Sequence, residues 1–189
     1  MLKLYYTGSK TYLGAQKNPE SSLGGYPSVS LVPNEYQGNV FGDISLYTKH
    51  NEITTVIGLI LKNELDLDLS NVSFYFDLPS GIISTYKVAA VSMSQDSDSQ
   101  YYMEEIPNQN ASPVYATFHE ADGLVNAVDL GPIESGKMIG IWLKRIVSDT
   151  IKTDDELYDD FVDESDAATT ENIGLNFVYD ESDIESSSS

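Results

Sequence analysis

The chain has no cysteine and few basic residues, and these two shortages exclude several classes of protein. Without cysteine it forms neither a disulfide framework nor a thiolate metal site. It contains ten lysines and arginines against 30 acidic residues, which gives a formal net charge of −20. Nucleic acids and anionic membranes are bound through clustered basic side chains. We therefore expect neither sequence-specific nucleic-acid binding nor membrane binding.

Long apolar runs are also missing from the sequence. No segment approaches the roughly 18 apolar residues that a membrane-spanning helix needs. The start, MLKLYYTGSK, lacks the apolar run and the small-residue cleavage site of a secretion signal. These features predict a soluble protein that is made in the cytosol, whatever assembly it later joins.

What the sequence does contain is short stretches in which apolar and polar residues alternate. In the clearest one, Ile141 and Leu143 fall on one face, while Trp142 and Lys144 fall on the other. Residues 54–62 are apolar on both faces, which predicts a central strand covered on both sides. The remaining predicted strands span residues 44–47, 71–77, 86–93, 101–106, 114–119, 124–130 and 172–179. This spacing, without a helical period, predicts an all-β antiparallel β-sandwich over residues 43–179.

The C-terminal part of this region is strongly acidic. Residues 148–170 form a predicted acidic insertion, and residues 180–189 form an acidic, serine-ended tail. Residues 172–179 are predicted to close the sandwich by pairing with residues 138–146. The insertion has two interpretations, a solvated excursion or an acidic docking surface for a basic partner. A short amphipathic helix within it, around residues 157–162, is a further possibility.

Residues 1–42 show no steady period and are crowded with glycine, proline and asparagine turns. Aromatic and aliphatic residues interrupt these turns, so we predict an extended N-terminal arm whose apolar side chains dock on another surface. That surface is either the chain's own domain or a neighbouring chain. The predicted partner-binding residues of the arm are Tyr12, Leu23, Tyr26, Leu31, Val32, Tyr36 and Phe41.

Two motifs resemble ligand sites but match them incompletely. Residues 131–138, GPIESGKM, have the spacing of a phosphate-binding loop, but Met138 replaces the hydroxyl residue that would hold Mg²⁺. A strand follows, where a phosphate-binding loop needs a helix, so we predict a turn. Asp96 and Asp98 suggest a weak calcium loop, but an EF-hand would need glycine where Tyr101 stands. A polar hairpin tip is the alternative.

Catalytic patterns are also weak. His50 and His119 are the two histidines, and no nucleophile motif accompanies either of them. The acidic residues are numerous, but nothing singles out a pair for glycoside hydrolysis. We therefore expect a protein that is not an enzyme and that binds no cofactor and no metal.

Several short motifs together resemble those of virion structural proteins of tailed bacteriophages, in particular crAss-like podoviruses. They are a LYYTG start, a QxNP turn, an SLGGY stretch, VPN and FxDIS, at residues 4–8, 16–19, 22–26, 32–34 and 41–45. The rest of the chain resembles an immunoglobulin-like sandwich of bacterial and phage type. That likeness lies in the LILKN strand end, the NVSFYFD strand and the ESGK turn before the strand of Trp142.

The resemblance implies a non-enzymatic virion protein, located in the virion after synthesis in the host cytoplasm. We expect a neck or tail component, a connector ring that assembles through its N-terminal arm. The alternatives are a capsid decoration protein and an adhesion module that binds host glycans. The implied partners are other copies of the chain and neighbouring virion proteins.

Overall fold

The regular structure of the described residues is almost entirely antiparallel β-strand, as the sequence predicts. The computed structural model describes residues 1–10, 16–33, 39–42, 44–45, 52–148, 168–169 and 171–180. Within these residues the helical elements are short 3₁₀ turns at Pro19–Ser21 and Leu124–Asn126. In the same part of the chain, no helix is long and apolar enough to cross a membrane.

The described residues contain thirteen strands, which follow one another in chain order. They are β1 (Leu2–Gly8), β2 (Gly24–Leu31), β3 (Ile44–Ser45), β4 (Ile53–Asn63), β5 (Leu69–Asp77), β6 (Ser84–Val91), β7 (Ser94–Gln95), β8 (Tyr101–Glu105), β9 (His119–Glu120), β10 (Val128–Ile133), β11 (Met138–Val147), β12 (Ala168–Thr169) and β13 (Gly174–Tyr179).

These strands form one large sheet and two smaller ones. The large sheet has eight strands in the order β7-β8-β2-β1-β4-β11-β6-β9. A second sheet has three strands in the order β10-β5-β13, and β12 pairs with β3 as a separate two-stranded ribbon. In the large sheet β11 pairs along its whole length with β4, from Met138 opposite Lys62 to Val147 opposite Ile53.

The main core lies between the large sheet and the three-stranded sheet. The large sheet contributes the inward side chains of β4 and β11, such as Ile57, Leu59 and Ile141, and the three-stranded sheet contributes Phe74 and Phe76. All five of these side chains are buried. The alternation of β5 predicted this inward face correctly, because a period of two puts every second residue on one side of a sheet.

A second core covers the opposite face of the large sheet. Trp142, Val56 and Ile60 point to this side and pack against Met103 of β8 and Ile106. The chain after β8 crosses over them, and the amide of Val56 donates to the carbonyl of Gln109. Strand β4 is therefore buried on both faces, as its apolar pattern predicts.

The close packing over Trp142 requires glycine at position 24. A Cβ atom there would lie 1.9 Å from the carbonyl oxygen of Glu104 and 2.9 Å from the Trp142 ring. The φ angle of Gly24 is +88°, which disfavours any other residue. This glycine allows β2 to pack closely against both β8 and the Trp142 ring.

The structure corrects the predicted partner of the last strand. β13 pairs with β5, with Gly174 opposite Asp77 and Tyr179 opposite Val72. The predicted pairing with residues 138–146 is wrong, because β4 and β6 already occupy both edges of β11.

Two further predicted strands differ from the structure. Residues 114–119 form a turn and an irregular segment, and the strand there is limited to β9 at its end. The predicted strand 124–130 begins as a 3₁₀ turn, and β10 starts at Val128. Only part of the predicted turn at 131–138 is a turn: residues 134–137 connect the two strands, while residues 131–133 end β10 and Met138 begins β11.

Residues 1–42, the predicted arm, contain two strands of the large sheet. β1 pairs with β4, and β2 pairs with both β1 and β8. The possible helix at residues 157–162 lies outside the described residues, and so does the acidic tail apart from Asp180.

Candidate interaction surface

The predicted arm residues are mostly held by the chain itself. Val32 and Phe41 are buried in the main core, and Leu23 is half-buried against the second core. Leu31 is exposed, with 43% of its surface accessible to solvent. Tyr26 is half-buried, and Tyr12 and Tyr36 lie outside the described residues.

Tyr26 belongs to a charged cluster at the tip of the β7–β8 hairpin. The ammonium of Lys10 lies 2.6 Å from the Asp96 carboxylate and 2.5 Å from that of Asp98. The Tyr26 hydroxyl donates to Asp96 at 2.9 Å. The hydrogen bond from Lys10 is the main reason why the pKa of Asp96 lies well below its usual range. The Lys10 ammonium therefore contacts both of the carboxylates that suggest a weak calcium loop in the sequence.

Glu171 anchors the chain where it returns from the acidic insertion. Its carboxylate accepts hydrogen bonds from the amides of Ile83 (2.7 Å) and Ser84 (3.2 Å) and from the hydroxyl of Tyr86 (2.6 Å). Burial alone would raise the pKa of Glu171, but these hydrogen bonds outweigh it and the pKa is lowered. Burial and the bond to Glu171 raise the pKa of Tyr86.

Arg145, the single arginine of the sequence, is buried beside this anchor. Its guanidinium donates to the carbonyls of Gly42 at 2.8 Å and Phe41 at 3.2 Å, and it lies 5.3 Å from the centre of the Phe41 ring. These contacts fix the segment before β3 against β11. Arg145 is therefore buried in contacts that stabilise the fold and does not form an exposed anion-binding site.

His119 lies in a shallow surface depression together with Glu120, Asp122 and Asn126. Among the described residues that line this depression there is no serine, threonine or tyrosine that His119 could activate. Elsewhere in the described part of the chain, no group of three or more histidine, aspartate and glutamate side chains is arranged to hold a metal ion. His50 lies outside the described residues.

Among the described residues, the most exposed aromatic side chain is presented by a hydrogen-bonded turn in the loop after β8. Tyr115 is 87% exposed, and its neighbour Val114 is also exposed. The Glu104 carboxylate accepts hydrogen bonds from the amide of Val114 at 2.8 Å and from that of Tyr115 at 3.3 Å. Ala116 and Phe118 pack under the turn against the second core. The loop is thus anchored from below while its apolar tip faces solvent.

A second turn presents apolar side chains in the same manner. Val125 is 97% exposed and Leu124 beside it is also exposed. The side-chain amide of Asn126 donates to the Asp122 carboxylate at 2.7 Å, and the amide of Gly123 donates to the carbonyl of Phe76 at 2.9 Å. The turn is therefore fixed to β5 at its base.

Sequence reasoning missed both turns as candidate sites. It assigned Val114 and Val125 to strands, because each lies in a short stretch, 114–119 and 124–130, in which apolar residues recur. The signals that mark the turns are Pro113 before the first and Gly123 before the second, since both residues punctuate regular structure. Comparison of the chain with protein-family models, with curated proteins and with solved structures finds no match.

Proposed function

We propose that the chain is a non-enzymatic structural protein of a tailed-bacteriophage virion, a ring component of the neck or tail. The observation that carries this proposal is the pair of hydrogen-bonded turns, 114–115 and 124–125, that present apolar side chains to solvent. Single exposed apolar residues are ordinary on protein surfaces. Here two neighbouring residues are exposed on each turn, and hydrogen bonds hold each turn in place.

Such an arrangement favours binding to another protein. Loops on a rigid scaffold are the usual carriers of binding residues. Tyrosine is enriched at the energetic centres of protein interfaces, because its ring buries a large area with little loss of conformational entropy. A pre-ordered turn also avoids the cost of ordering a loop on association.

The phage setting is supported by the motifs of residues 1–45 that resemble virion proteins. As part of this proposal we assign the two facing sheets to the immunoglobulin-like class of sandwiches. The support is the shared core between β4 and β11 on one side and β5 on the other. A decoration protein spread over the capsid is the alternative, since it would use exposed turns in the same way.

The proposal is tested by incorporation into particles. A phage that lacks its own copy of the gene is supplied with the wild-type chain, with a Tyr115→Ser and Val125→Ser double variant, or with Gln100→Ser. Gln100 is an exposed polar residue of the β7–β8 hairpin and serves as the control. Quantitative mass spectrometry of purified particles then gives the amount of chain relative to the major capsid protein.

We expect the double variant to fold with wild-type stability but to be depleted from particles, while Gln100→Ser is incorporated normally. Absence of the wild-type chain from purified particles would contradict the proposal. A monomeric chain that binds host polysaccharide and is missing from particles would instead favour the adhesion module. Labelling spread over the whole capsid would favour the decoration protein.

A further inference from the structure

The outer edge of β13 is a regular strand edge without a partner among the described residues. β13 is the last strand of the three-stranded sheet, and all six of its residues stay in register with β5. Its sequence, GLNFVY, contains no charge and no proline. Such an edge is a template for another strand.

The direction of the free main-chain groups follows from the hydrogen bonds of Phe76. This residue donates its amide to Ala121 at 2.7 Å and accepts the amide of Gly123 at 2.9 Å, both on the side of β5 away from β13. Residues that face each other across an antiparallel pair direct their main-chain groups either both toward or both away from each other. Leu175 lies opposite Phe76, so its N–H and C=O point to the outer edge.

By the same alternation, the main-chain groups of Phe177 and Tyr179 also point outward, while those of Asn176 and Val178 bond to β5. No backbone hydrogen bond reaches the outward groups from any described residue. The edge therefore offers three amides and three carbonyls at the spacing of a strand.

The outermost strands at the other sheet edges in the described part of the chain carry features that hinder pairing. β7, β9 and the ribbon of β12 and β3 are two residues long, which is too short to guide another strand. β10 contains Pro132, and its register breaks twice against β5. Short strands, prolines and bulges are the usual means of blocking edge pairing. β13 has none of these features.

Charge indicates what kind of strand fits this edge. Residues 153–189, which surround β13 in the sequence, contain thirteen acidic residues and no lysine or arginine. Glu171 and Asp180 bracket the uncharged strand itself. A second copy carries the same net charge of −20 and would be repelled. A strand flanked by basic residues would be attracted.

We propose that the outer edge of β13 binds an extended segment of another protein that carries lysine or arginine on both sides of a short alternating apolar stretch. Main-chain hydrogen bonds to Leu175, Phe177 and Tyr179 supply affinity, and the net charge of −20 on the chain favours a segment with basic ends. The inference goes beyond the proposed function. It depends on the fold and not on membership of a phage particle.

The probe is a synthetic peptide, Lys-Thr-Val-Thr-Val-Thr-Lys with blocked ends, and its control carries glutamate at both lysine positions. Binding to the full chain is measured by calorimetry at low and high salt. We expect the lysine peptide to bind at least about tenfold more tightly than the glutamate peptide, with a difference that shrinks as salt screens the charges. Amide hydrogen exchange should slow at Leu175, Phe177 and Tyr179 when the lysine peptide is added.

Two variants at one position separate the main-chain contact from the side chain. Tyr179→Pro removes an outward amide, whereas Tyr179→Ala removes the same side chain and keeps the amide. We expect the proline variant to bind the peptide about tenfold more weakly than the alanine variant, because one main-chain hydrogen bond is lost. If the proline variant fails to fold, the hydrogen-exchange result on the wild-type chain decides.

Several results would overturn the proposal. They are no binding of the lysine peptide up to about 1 mM, equal binding of the two peptides, and protection of amides other than the three outward ones. Slow exchange of those amides in the free monomer would mean that the chain covers its own edge. A dimer in solution that Tyr179→Pro dissociates would identify a second copy as the occupant.

Discussion

Phe74 lies at the centre of the core between the two sheets, and its truncation tests the packing directly. Its side chain is fully buried. Its ring centroid lies 4.8 Å from that of Phe76 in an edge-to-face arrangement and 5.2 Å from that of Phe177 on β13. Phe74→Ala removes both ring contacts and leaves a cavity, while the backbone pairing of β5 remains.

The expected cost follows from these contacts. Truncation of a buried phenylalanine to alanine costs about 3–5 kcal/mol. Two aromatic contacts, each contributing about 0.5–1.5 kcal/mol beyond area burial, place Phe74 in the upper half of that range. A loss of about 4–5 kcal/mol is a large part of the roughly 5–15 kcal/mol that stabilises a typical domain.

The assay is urea unfolding of Phe74→Ala and of Tyr75→Ala, with free energies from linear extrapolation. Tyr75 is the next residue along β5, is half-buried and points to the opposite face. We expect its truncation to cost less than about 1 kcal/mol. In thermal unfolding, Phe74→Ala should lower the Tm by about 8–20 °C. Equal losses for the two variants, or a loss at Phe74 below about 1 kcal/mol, would refute the assigned faces of β5.

Three further predictions concern the Glu171 carboxylate, the close packing at Gly24 and the ion pair between Lys10 and Asp96. Because the pKa of Glu171 in the folded state lies below its ordinary value of 4.5, its carboxylate stabilises the fold at neutral pH, and this contribution is lost as the pH falls through the folded-state pKa. Glu171→Gln should therefore lower the free energy of unfolding by about 1–2 kcal/mol at pH 7, and its stability should approach that of the wild type as the pH falls. A difference in stability that grew toward acid pH would contradict the stabilising role of Glu171. Gly24→Ala should cost about 2–4 kcal/mol in urea unfolding because a Cβ there meets the backbone. The control is Gly136→Ala, because Gly136 also has a positive φ angle but a Cβ there would meet no atom within 4 Å. This variant should lose about 1 kcal/mol of stability. Equal losses for Gly24→Ala and Gly136→Ala would exclude crowding as the cause. Lys10→Gln should raise the pKa of Asp96 in an NMR titration, and an unchanged pKa would show that the ion pair does not form in solution.

The faces of the central strands are predictable from the sequence, whereas strand partners are not. Ile141 and Trp142 lie on opposite faces of β11, as the alternation predicts, because a period of two fixes the side regardless of the neighbour. Residues 172–179 also alternate and do form a strand. Periodicity carries no information on which edge such a strand joins, so its pairing with β5 could not be read from the pattern.

Local turn chemistry explains the other differences. β2 was hidden within the predicted arm because Gly24 and Pro27 break its pattern, and the need for Gly24 comes from Trp142, which is distant in the sequence. The exposed turn at Tyr115 could not be read from the residues around it, because the carboxylate that fixes it belongs to Glu104 on β8. Candidate interaction residues that depend on such tertiary contacts are not visible in the sequence alone.

A reconstruction of the intact particle tests the central claim most directly, namely that this chain acts by being held by neighbouring proteins. We predict a closed ring of copies at the portal vertex, with the turns 114–115 and 124–125 buried against neighbouring chains. A particle without this chain would contradict the account, and so would a chain whose two turns both face solvent.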